Sequence, residues 1–289
     1  MRVRSAIALA TLAALGCTPR AGGAARCAAP QQTGTLPPEV GESSGVAVSR
    51  RHTGILWTHN DSGGDPVIFA VDSTGHLSGA IRVRGAENVD WEDAALGPCP
   101  TGDCLYLADT GDNRLRRDDA AIYRIAEPAP GDSVATAERF PIRYPDAPHD
   151  AEALFVLPDG GVFLVTKGHD APVAVYRYPQ PLRRDEAVVL ERVQTLTDGP
   201  VALSKQITGA AAAPDGRWVA LRTYTDVSIH PVRRGRLETA AFRLDIQTLG
   251  EPQGEAIGIA PDGSIILTSE AGPANLAAVI ARIVCRGEE

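Results

Sequence analysis

The chain has 289 residues, of which 44% are hydrophobic and 22% charged, and its formal net charge is −8. This length and apolar content are sufficient for one large all-β domain. The negative charge argues against nucleic acid as a partner, because binding to a phosphate backbone relies on Lys and Arg.

The N-terminal segment predicts export. Arg2 and Arg4 precede an uncharged apolar run over residues 6–16, which is too short to span a bilayer as a transmembrane helix and is typical of a secretory signal. Residues 14–17, Ala-Leu-Gly-Cys, resemble the processing site of bacterial lipoproteins, with alanine in place of the more usual leucine at the first position. The resemblance implies cleavage before Cys17, acylation of its thiol and a membrane anchor. The alternative is an ordinary secretory signal with an incidental cysteine.

The sequence therefore divides into three parts. Residues 1–16 are predicted to be a signal peptide, and residues 17–35, rich in Ala, Gly, Pro and Gln, are typical of a lipidated tether. The folded domain is predicted over residues 36–289. We expect it to be exported and held at a membrane of the bacterial cell envelope through Cys17.

The cysteine count agrees with an oxidising compartment. With Cys17 assigned to the lipid, four of the five cysteines can form two disulfides. Cys99 and Cys104 enclose a Pro-Thr-Gly-Asp turn and are predicted to pair locally, which leaves Cys27 to pair with Cys285. The alternative is that these four thiols are free or paired differently.

One phrase recurs five times in the domain: an acidic residue, small residues, an apolar stretch and often Pro-Asp-Gly. The copies cover residues 42–48, 92–98, 152–160, 208–216 and 255–263, and their starts are 47 to 60 residues apart. The fourth copy begins with Thr208 instead of an acid. A repeat interval of 47 to 60 residues is typical of propeller blades.

Each phrase is followed by further apolar runs that predict strands. The second strands are predicted at residues 55–58, 104–108, 162–166, 218–222 and 264–268. The third strands are predicted at residues 67–71, 121–125, 173–178, 227–230 and 277–283. Fourth strands are fainter, as at residues 188–193. Four short strands per repeat, Gly and Pro turns and no long helical periodicity favour an all-β β-propeller with four antiparallel strands per blade.

The last unit ends before its fourth strand. We therefore expect the ring to be closed by an N-terminal strand from residues 24–40, and a Cys27–Cys285 bond would lock that closure. Five blades are preferred, and six remain open.

Circular closure would gather distant acidic residues at one mouth of the channel, where first strands start and second strands end. Four of the five first strands start with glutamate, and crowded carboxylates cannot all stay ionised without a cation. A second-strand end also carries the oxygen-rich sequence Asp-Thr-Gly-Asp-Asn, although such a loop is commonly a turn whose side chains bond the backbone. Calcium prefers oxygen ligands, and the histidines show no close ligand spacing that would favour zinc. The predicted calcium ligands are Glu42, Asp61, Glu92, Asp109, Asp112, Asn113, Glu152 and Glu255.

Two cations occupy the same second-strand position in blades three and four. Lys167 and Arg222 are predicted to hold an anionic substrate opposite the metal. The alternative is that they pair with the glutamates across the channel. Because the sequence contains no nucleophile elbow and no convincing serine or cysteine triad, nucleophilic covalent catalysis is disfavoured.

Four phrases of the domain resemble those of bacterial exported propeller proteins of unassigned function: residues 56–63, 90–93, 108–113 and 150–154. At a coarser level, the acidic mouth is similar to that of calcium-dependent propeller hydrolases, the phytase-like and gluconolactonase-like groups. This resemblance implies the fold and the placement of a metal at that mouth. Neither group's catalytic residues map onto this chain.

Three functions fit these observations. The favoured one is an envelope lipoprotein whose acidic mouth binds calcium, a small anionic ligand or an envelope protein without turnover. The second is a metal-dependent hydrolase of a phosphoester or lactone. The third is a purely structural module of an envelope assembly, for which the acidic mouth would be dispensable.

Overall fold

The structure, a computed structural model, describes residues 26–100, 102–273 and 276–286. The predicted signal peptide, residues 1–16, and the predicted lipidation site Cys17 lie outside these ranges. Within them, no helix is both long and apolar enough to cross a membrane. The helices that are described are single 3-10 turns at Pro38–Val40, Leu203–Lys205 and Gln247–Leu249.

Strands make up the rest of the regular structure. In chain order they are β1 (Arg26–Cys27), β2 (Gln31–Thr35), β3 (Ser43–Val48), β4 (Leu56–Asn60), β5 (Val67–Val71), β6 (Leu77–Arg84), β7 (Trp91–Cys99), β8 (Gly102–Asp109), β9 (Ala121–Ala126), β10 (Val134–Thr136), β11 (Glu138–Arg143), β12 (Ala151–Val156), β13 (Val162–Thr166), β14 (Ala174–Arg177), β15 (Val188–Val189), β16 (Glu191–Thr195), β17 (Ile207–Ala212), β18 (Trp218–Thr223), β19 (Asp226–Arg233), β20 (Arg236–Leu237), β21 (Phe242–Asp245), β22 (Gln253–Ile259), β23 (Ile265–Glu270), β24 (Val279–Ile283) and β25 (Cys285–Arg286).

These strands form the five blades of a β-propeller, which confirms the fold predicted from the repeats. From the channel outward the blades are β3-β4-β5-β6, β7-β8-β9-β11, β12-β13-β14-β16, β17-β18-β19 with β20 and β21, and β22-β23-β24-β2. Neighbouring strands within these blades are antiparallel. Strands β10 and β15 add parallel pairs at the outer edges of blades one and two.

The core consists of five apolar clusters, each between two adjacent blades of the described chain. Trp57 of blade one and Leu107 of blade two, for example, are buried in the same cluster. The cluster between the last and first blades contains Ile280 and Val46. The blade strands are runs of apolar residues because neighbouring blades cover both faces of each sheet. The cluster between the last and the first blade closes the ring.

Closure uses the N-terminal strand, as predicted. Strand β2 pairs antiparallel with β24, so that Gln31 lies opposite Arg282, and the last part of the predicted tether forms the fourth strand of blade five. Both predicted disulfides are present, Cys27–Cys285 beside this closure and Cys99–Cys104 within blade two. Two disulfides are typical of an extracellular or periplasmic protein.

The predicted fourth strand at residues 188–193 differs in detail, because it serves two blades. Val188–Val189 pairs with β11 of blade two, whereas Glu191–Thr195 pairs with β14 of blade three. Leu190 between them is buried in the cluster that these two blades share. The apolar run therefore crosses from one blade to the next around a core residue.

Candidate metal centre

A β-bulge interrupts the first two strands of every blade at the same place. In blade two, Trp91 pairs with Asp109 and Asp93 pairs with Ala108, which leaves Glu92 outside the ladder. A bulge of this kind re-aims a side chain, and bulges are common next to functional sites. The five bulged residues, in blade order, are Ser44, Glu92, Glu152, Thr208 and Glu255.

This register corrects the alignment of the first repeat. The sequence repeat aligns Glu42 with Glu92, but the bulged residue of blade one is Ser44, two positions after Glu42. Three bulged positions therefore carry glutamate, not four. The hydroxyl of Ser44 donates to the carbonyl of Glu92 at 2.8 Å, and Thr208 bonds the carbonyl of Glu255 in the same way at 3.0 Å. The two hydroxyl residues thus join their blade to the next one.

Two overlapping sets of three carboxylates lie at this mouth. In the first trio, Asp61, Asp90 and Glu92, one oxygen of each residue lies within 4.8 Å of the other two. In the second trio, Glu92, Asp150 and Glu152, the same holds. Glu92 belongs to both trios and is buried. The geometry thus brings together residues from β4 to β12 that are up to 91 positions apart in the sequence.

The first trio holds its protons more tightly than isolated carboxylates do. Burial and the charge of Asp90 raise the pKa of Asp61 to about 7. Burial and the charge of Glu152 raise the pKa of Glu92 well above its ordinary value. Burial also raises the pKa of Asp90, although the Arg117 guanidinium opposes it. Removing like charges from water and placing them side by side penalises the ionised forms, and a bound cation would relieve that penalty.

Blades five and one continue the acidic surface. Glu42 and Glu270 form a β-bridge between these blades. Burial and the charge of Glu255 raise the pKa of Glu270 to about 8, and burial raises the pKa of Glu255 as well. The acidic mouth, as the name is used below, comprises Glu42, Asp61, Asp90, Glu92, Asp150, Glu152, Glu255 and Glu270. Glu42 and Glu255 lie beside the trios without belonging to either.

The two predicted cations occupy different environments. The Nζ of Lys167 lies 2.5 Å from Glu152 Oε1 and 3.8 Å from Asp150 Oδ2, so this ammonium offsets one of the three carboxylate charges of the second trio. Burial alone would lower the pKa of Lys167, but Glu152 raises it. Arg222 is fully buried, and its guanidinium donates to the carbonyls of blade five and to Glu251 at 2.5 Å. Lys167 faces the acidic mouth, whereas Arg222 is enclosed.

The Asp109–Asn113 loop approaches the first trio with its backbone. A side chain at Gly111 would collide with the carboxylate of Glu92, so glycine is required for this approach. Asp109 accepts from Arg117 at 2.9 Å, and Asp112 accepts from the backbone N–H of Arg117 at 2.7 Å. Asn113 is exposed. Of the loop's predicted ligands, Asp109 and Asp112 are thus engaged with Arg117.

Two buried oxygens of the trios accept no hydrogen bond from the described residues. They are Asp61 Oδ1 and Asp150 Oδ2. Asp150 is only 3% exposed, and its other oxygen accepts from the N–H of Asp112 at 2.8 Å. Asp150 Oδ2 already faces the ammonium of Lys167 at 3.8 Å. Buried polar atoms are normally satisfied, so the Asp61 oxygen in this cluster of acids indicates a site for a cation.

A different arrangement lies directly behind the mouth, on the channel axis. The residue after each bulge is glycine or alanine in four blades, but Asp93 in blade two. Its carboxylate accepts from the N–H of Ala94 at 2.8 Å, of Leu154 at 2.8 Å and of Ala210 at 3.1 Å. Asp93 therefore ties together the inner strands of blades two, three and four.

The sequence indicated only part of this site. Asp90 and Asp150 stand two residues before Glu92 and Glu152, and they belong to the trios although they were not among the predicted ligands. The signal that could have identified them is the shared spacing Asp-x-Glu in blades two and three.

No protein-family model matches the chain, and no curated protein matches it significantly in sequence. Several solved structures are similar to it. The PQQ-bound aldose sugar dehydrogenase of Streptomyces coelicolor is 12% identical, with 92% of this chain and 100% of that chain covered and a TM-score of 0.54. A gluconolactonase of Xanthomonas campestris is 15% identical, covering 92% and 99% with a TM-score of 0.48. The calcium-binding protein regucalcin of Agrobacterium tumefaciens is 13% identical, covering 89% and 96% with a TM-score of 0.45. At these identities the likeness concerns the fold alone.

Proposed function

We propose that the acidic mouth binds one divalent cation, calcium, in the first trio, and that Lys167 is the permanent counter-ion of the second trio. The unpartnered oxygen of Asp61 carries this proposal. Burial, together with the mutual repulsion of three carboxylates within 4.8 Å of one another, raises the pKa values of Asp61 and Glu92, and a bound cation would oppose both effects.

The ligand chemistry favours calcium over zinc. Both trios consist of carboxylates, with no histidine or cysteine among them. Calcium takes six to eight oxygen ligands, including backbone carbonyls and water. The exposed edge of the first trio, where Asp61 and Asp90 are half-buried, leaves room for water ligands or for an oxygen of a small anionic ligand that Lys167 would attract.

The test is thermal unfolding of the purified protein with EDTA or with calcium. An ion that binds only the native state stabilises it by about 2.7 kcal/mol at a hundredfold excess over Kd, which corresponds to about 7 °C in Tm for a domain of this size. Asp61→Asn should abolish this shift. Asp65→Asn is the matched control, because Asp65 lies four residues away, is exposed and pairs only with Arg82 at 3.5 Å. No shift at millimolar calcium, or an equal shift in both variants, would remove the metal site.

We also propose that the protein is a cell-envelope lipoprotein, anchored through Cys17 after removal of residues 1–16. The predicted processing sequence and the two disulfides support export. Expression in a bacterial host with labelled palmitate should give a labelled protein in the membrane fraction. Cys17→Ser should remove the label and release the protein, whereas an unlabelled wild-type protein would contradict the anchor.

A metal-dependent hydrolase of a phosphoester or lactone is the second candidate. The observation that favours it is the position of Glu152, a buried carboxyl whose pKa burial raises and which lies beside Glu92 of the first trio, where it could exchange a proton with a leaving oxygen. A divalent ion would polarise the phosphoryl or carbonyl oxygen of a substrate. Panels of phosphoesters and lactones, assayed with and without calcium, decide between the two. Turnover that Glu152→Gln abolishes while the calcium shift in Tm persists would establish the hydrolase, and no turnover would leave a binding protein.

A further inference from the structure

A groove lies between blades three and four, and none of the residues of the acidic mouth lines it. The groove has a volume of about 490 Å³, within the range of small-molecule sites. Apolar side chains from both blades line much of it, among them Val173, Leu196, Leu221 and Leu237. At its blade-four wall are two polar side chains, Ser228 and His230, both on β19.

Comparison of the five blades shows that these two residues break an internal pattern. The third-strand residue opposite Leu221 is Ser228, and its equivalents in blade order one, two, three and five are Phe69, Tyr123, Tyr176 and Ala281. The residue opposite Val219 is His230, and its equivalents in the same order are Val71, Ile125, Tyr178 and Ile283. Blade four thus places a hydroxyl and an imidazole where the other blades place apolar or aromatic groups. A local rule broken without an evident packing gain is characteristic of functional sites.

The hydrogen bonds fix the tautomer of the imidazole. His230 Nδ1 lies 2.9 Å from the carbonyl oxygen of Glu238, which can only accept, so Nδ1 carries the proton. Nε2 is then an acceptor, and the hydroxyl of Ser228, 2.9 Å away, must donate to it. Burial lowers the pKa of His230, which keeps the ring neutral at physiological pH. A hydroxyl bonded to a neutral imidazole that a third group orients is the arrangement of an activated serine.

Two cationic side chains lie at the rim of the groove. Lys205 and Arg243 line it, and both bond to the single carboxylate of Asp226, at 2.6 Å and 2.7 Å. Glu238 also lines the groove, so these four charges cancel, and the two cations remain as donors for an oxyanion that develops close to them. An apolar lining with a polar end suits an ester that has an apolar acyl group.

We propose that Ser228 and His230 form a nucleophile–base pair that hydrolyses esters whose apolar acyl group occupies this groove. Ser228 Oγ attacks the ester carbonyl carbon while its proton passes to His230 Nε2. The bond to the alcohol then breaks, and the leaving oxygen takes that proton. Water, giving a proton to Nε2, attacks the acyl-serine and releases the carboxylic acid, and the proton returns to Ser228. This pair is independent of the acidic mouth and requires no metal.

The test uses an alkyl fluorophosphonate, which phosphonylates activated serines, on the purified protein in EDTA. Intact-mass and peptide mass spectrometry should find one adduct, on Ser228. His230→Gln retains the serine and should slow labelling roughly 100-fold, the lower range of general-base catalysis. Thr239→Val, which removes another hydroxyl from the same groove, is the matched control and should be labelled at the wild-type rate.

Hydrolysis of p-nitrophenyl butyrate in EDTA gives the second readout. Ser228→Ala should abolish the turnover of the wild-type protein. Labelling of the wild-type protein tests the reactivity of Ser228 directly, so the proposal remains testable even if a substitution impairs folding. No adduct on Ser228 in the wild-type protein, or equal labelling of Ser228 in a folded His230→Gln protein, would overturn the proposal.

Discussion

Two neighbouring regions of the channel treat a buried carboxylate in opposite ways. On the axis, Asp93 is fully enclosed and its oxygens accept three backbone N–H groups from three blades. At the acidic mouth, Glu92 is the preceding residue and is buried almost as deeply, but it faces four other carboxylates. The Asp93 carboxylate has backbone donors for its oxygens, although burial still raises its pKa well above its ordinary value, whereas the cluster around Glu92 contains oxygens without a hydrogen-bond donor.

The difference separates structure from ligand binding within one repeat. A buried carboxylate whose backbone donors come from several blades ties those blades together, and its removal leaves their N–H groups without an acceptor. A buried charge that the fold leaves unsatisfied reduces stability until a ligand arrives. Substitutions on the axis should therefore change stability without affecting calcium binding, whereas substitutions at the mouth should change stability in a way that depends on calcium.

The largest expected effect is at the axis. Asp93→Ala copies the alanine that blades three and five have at this position, so it introduces no clash, but the N–H groups of Leu154 and Ala210 lose their acceptor. We expect a loss of about 4 kcal/mol, or roughly 10 °C in Tm. The calcium shift in Tm should persist. A variant as stable as the wild type would show that Asp93 does not hold the blades together.

Lys167→Met sharpens the comparison, because it removes the ammonium from the second trio and leaves a cluster of carboxylates like the first trio. Glu152 and Asp150 would remain buried without their ammonium, at a cost of about 3 kcal/mol at pH 8 in EDTA. Calcium should restore much of this loss. Calorimetry should find two calcium ions per chain in place of one. A variant that binds one ion and is not rescued by calcium would contradict the counter-ion role.

Glu92→Gln should separate the two effects most cleanly. The amide keeps the shape of the side chain but removes a charge that both trios share. In EDTA the variant should be more stable than the wild type by about 1 kcal/mol, since like-charge repulsion falls. In calcium the order should reverse, because a ligand is lost. If Glu92 were only a structural residue, the variant would be less stable in both conditions.

A further prediction concerns pH dependence. Asp61 and Glu270 have folded-state pKa values of about 7 and 8, above their ordinary values of 3.8 and 4.5. The native state therefore binds more protons than the unfolded chain between about pH 4 and 8, and without calcium the free energy of unfolding falls as the pH rises through this window.

Calcium must displace such a proton, so its affinity should rise about tenfold between pH 6 and pH 8. Titration calorimetry at both pH values measures this change. A Kd that is independent of pH would show that the ion binds away from Asp61.

The fold was predictable because its unit is repeated. Five copies of an acidic, small and apolar phrase specify five inner strands, and a last blade that lacks its fourth strand requires the N-terminal segment. The exact register was not predictable. In the first copy the Glu42-Ser-Ser-Gly sequence allows two alignments, and only strand pairing shows that Ser44 is the bulged residue.

Only some of the predicted ligands lie together in the trios. The trios include the predicted ligands Glu92, Glu152 and Asp61. Asp109 and Asp112 instead accept hydrogen bonds from Arg117. No sequence motif specifies where the backbone and the guanidinium of Arg117 lie. The groove pair of Ser228 and His230 leaves even less trace, since a serine and a histidine two positions apart on a strand are common. Only a comparison of β19 with the third strands of the other blades sets them apart.

The most direct measurement is a crystal structure of the protein grown in calcium, with anomalous data to locate the ion. The account predicts one calcium in the acidic mouth, with carboxylate oxygens of Asp61, Asp90 and Glu92 at about 2.3–2.6 Å, and Lys167 still paired with Glu152. Calcium bound elsewhere, or a mouth in which these three carboxylates are satisfied without an ion, would contradict it.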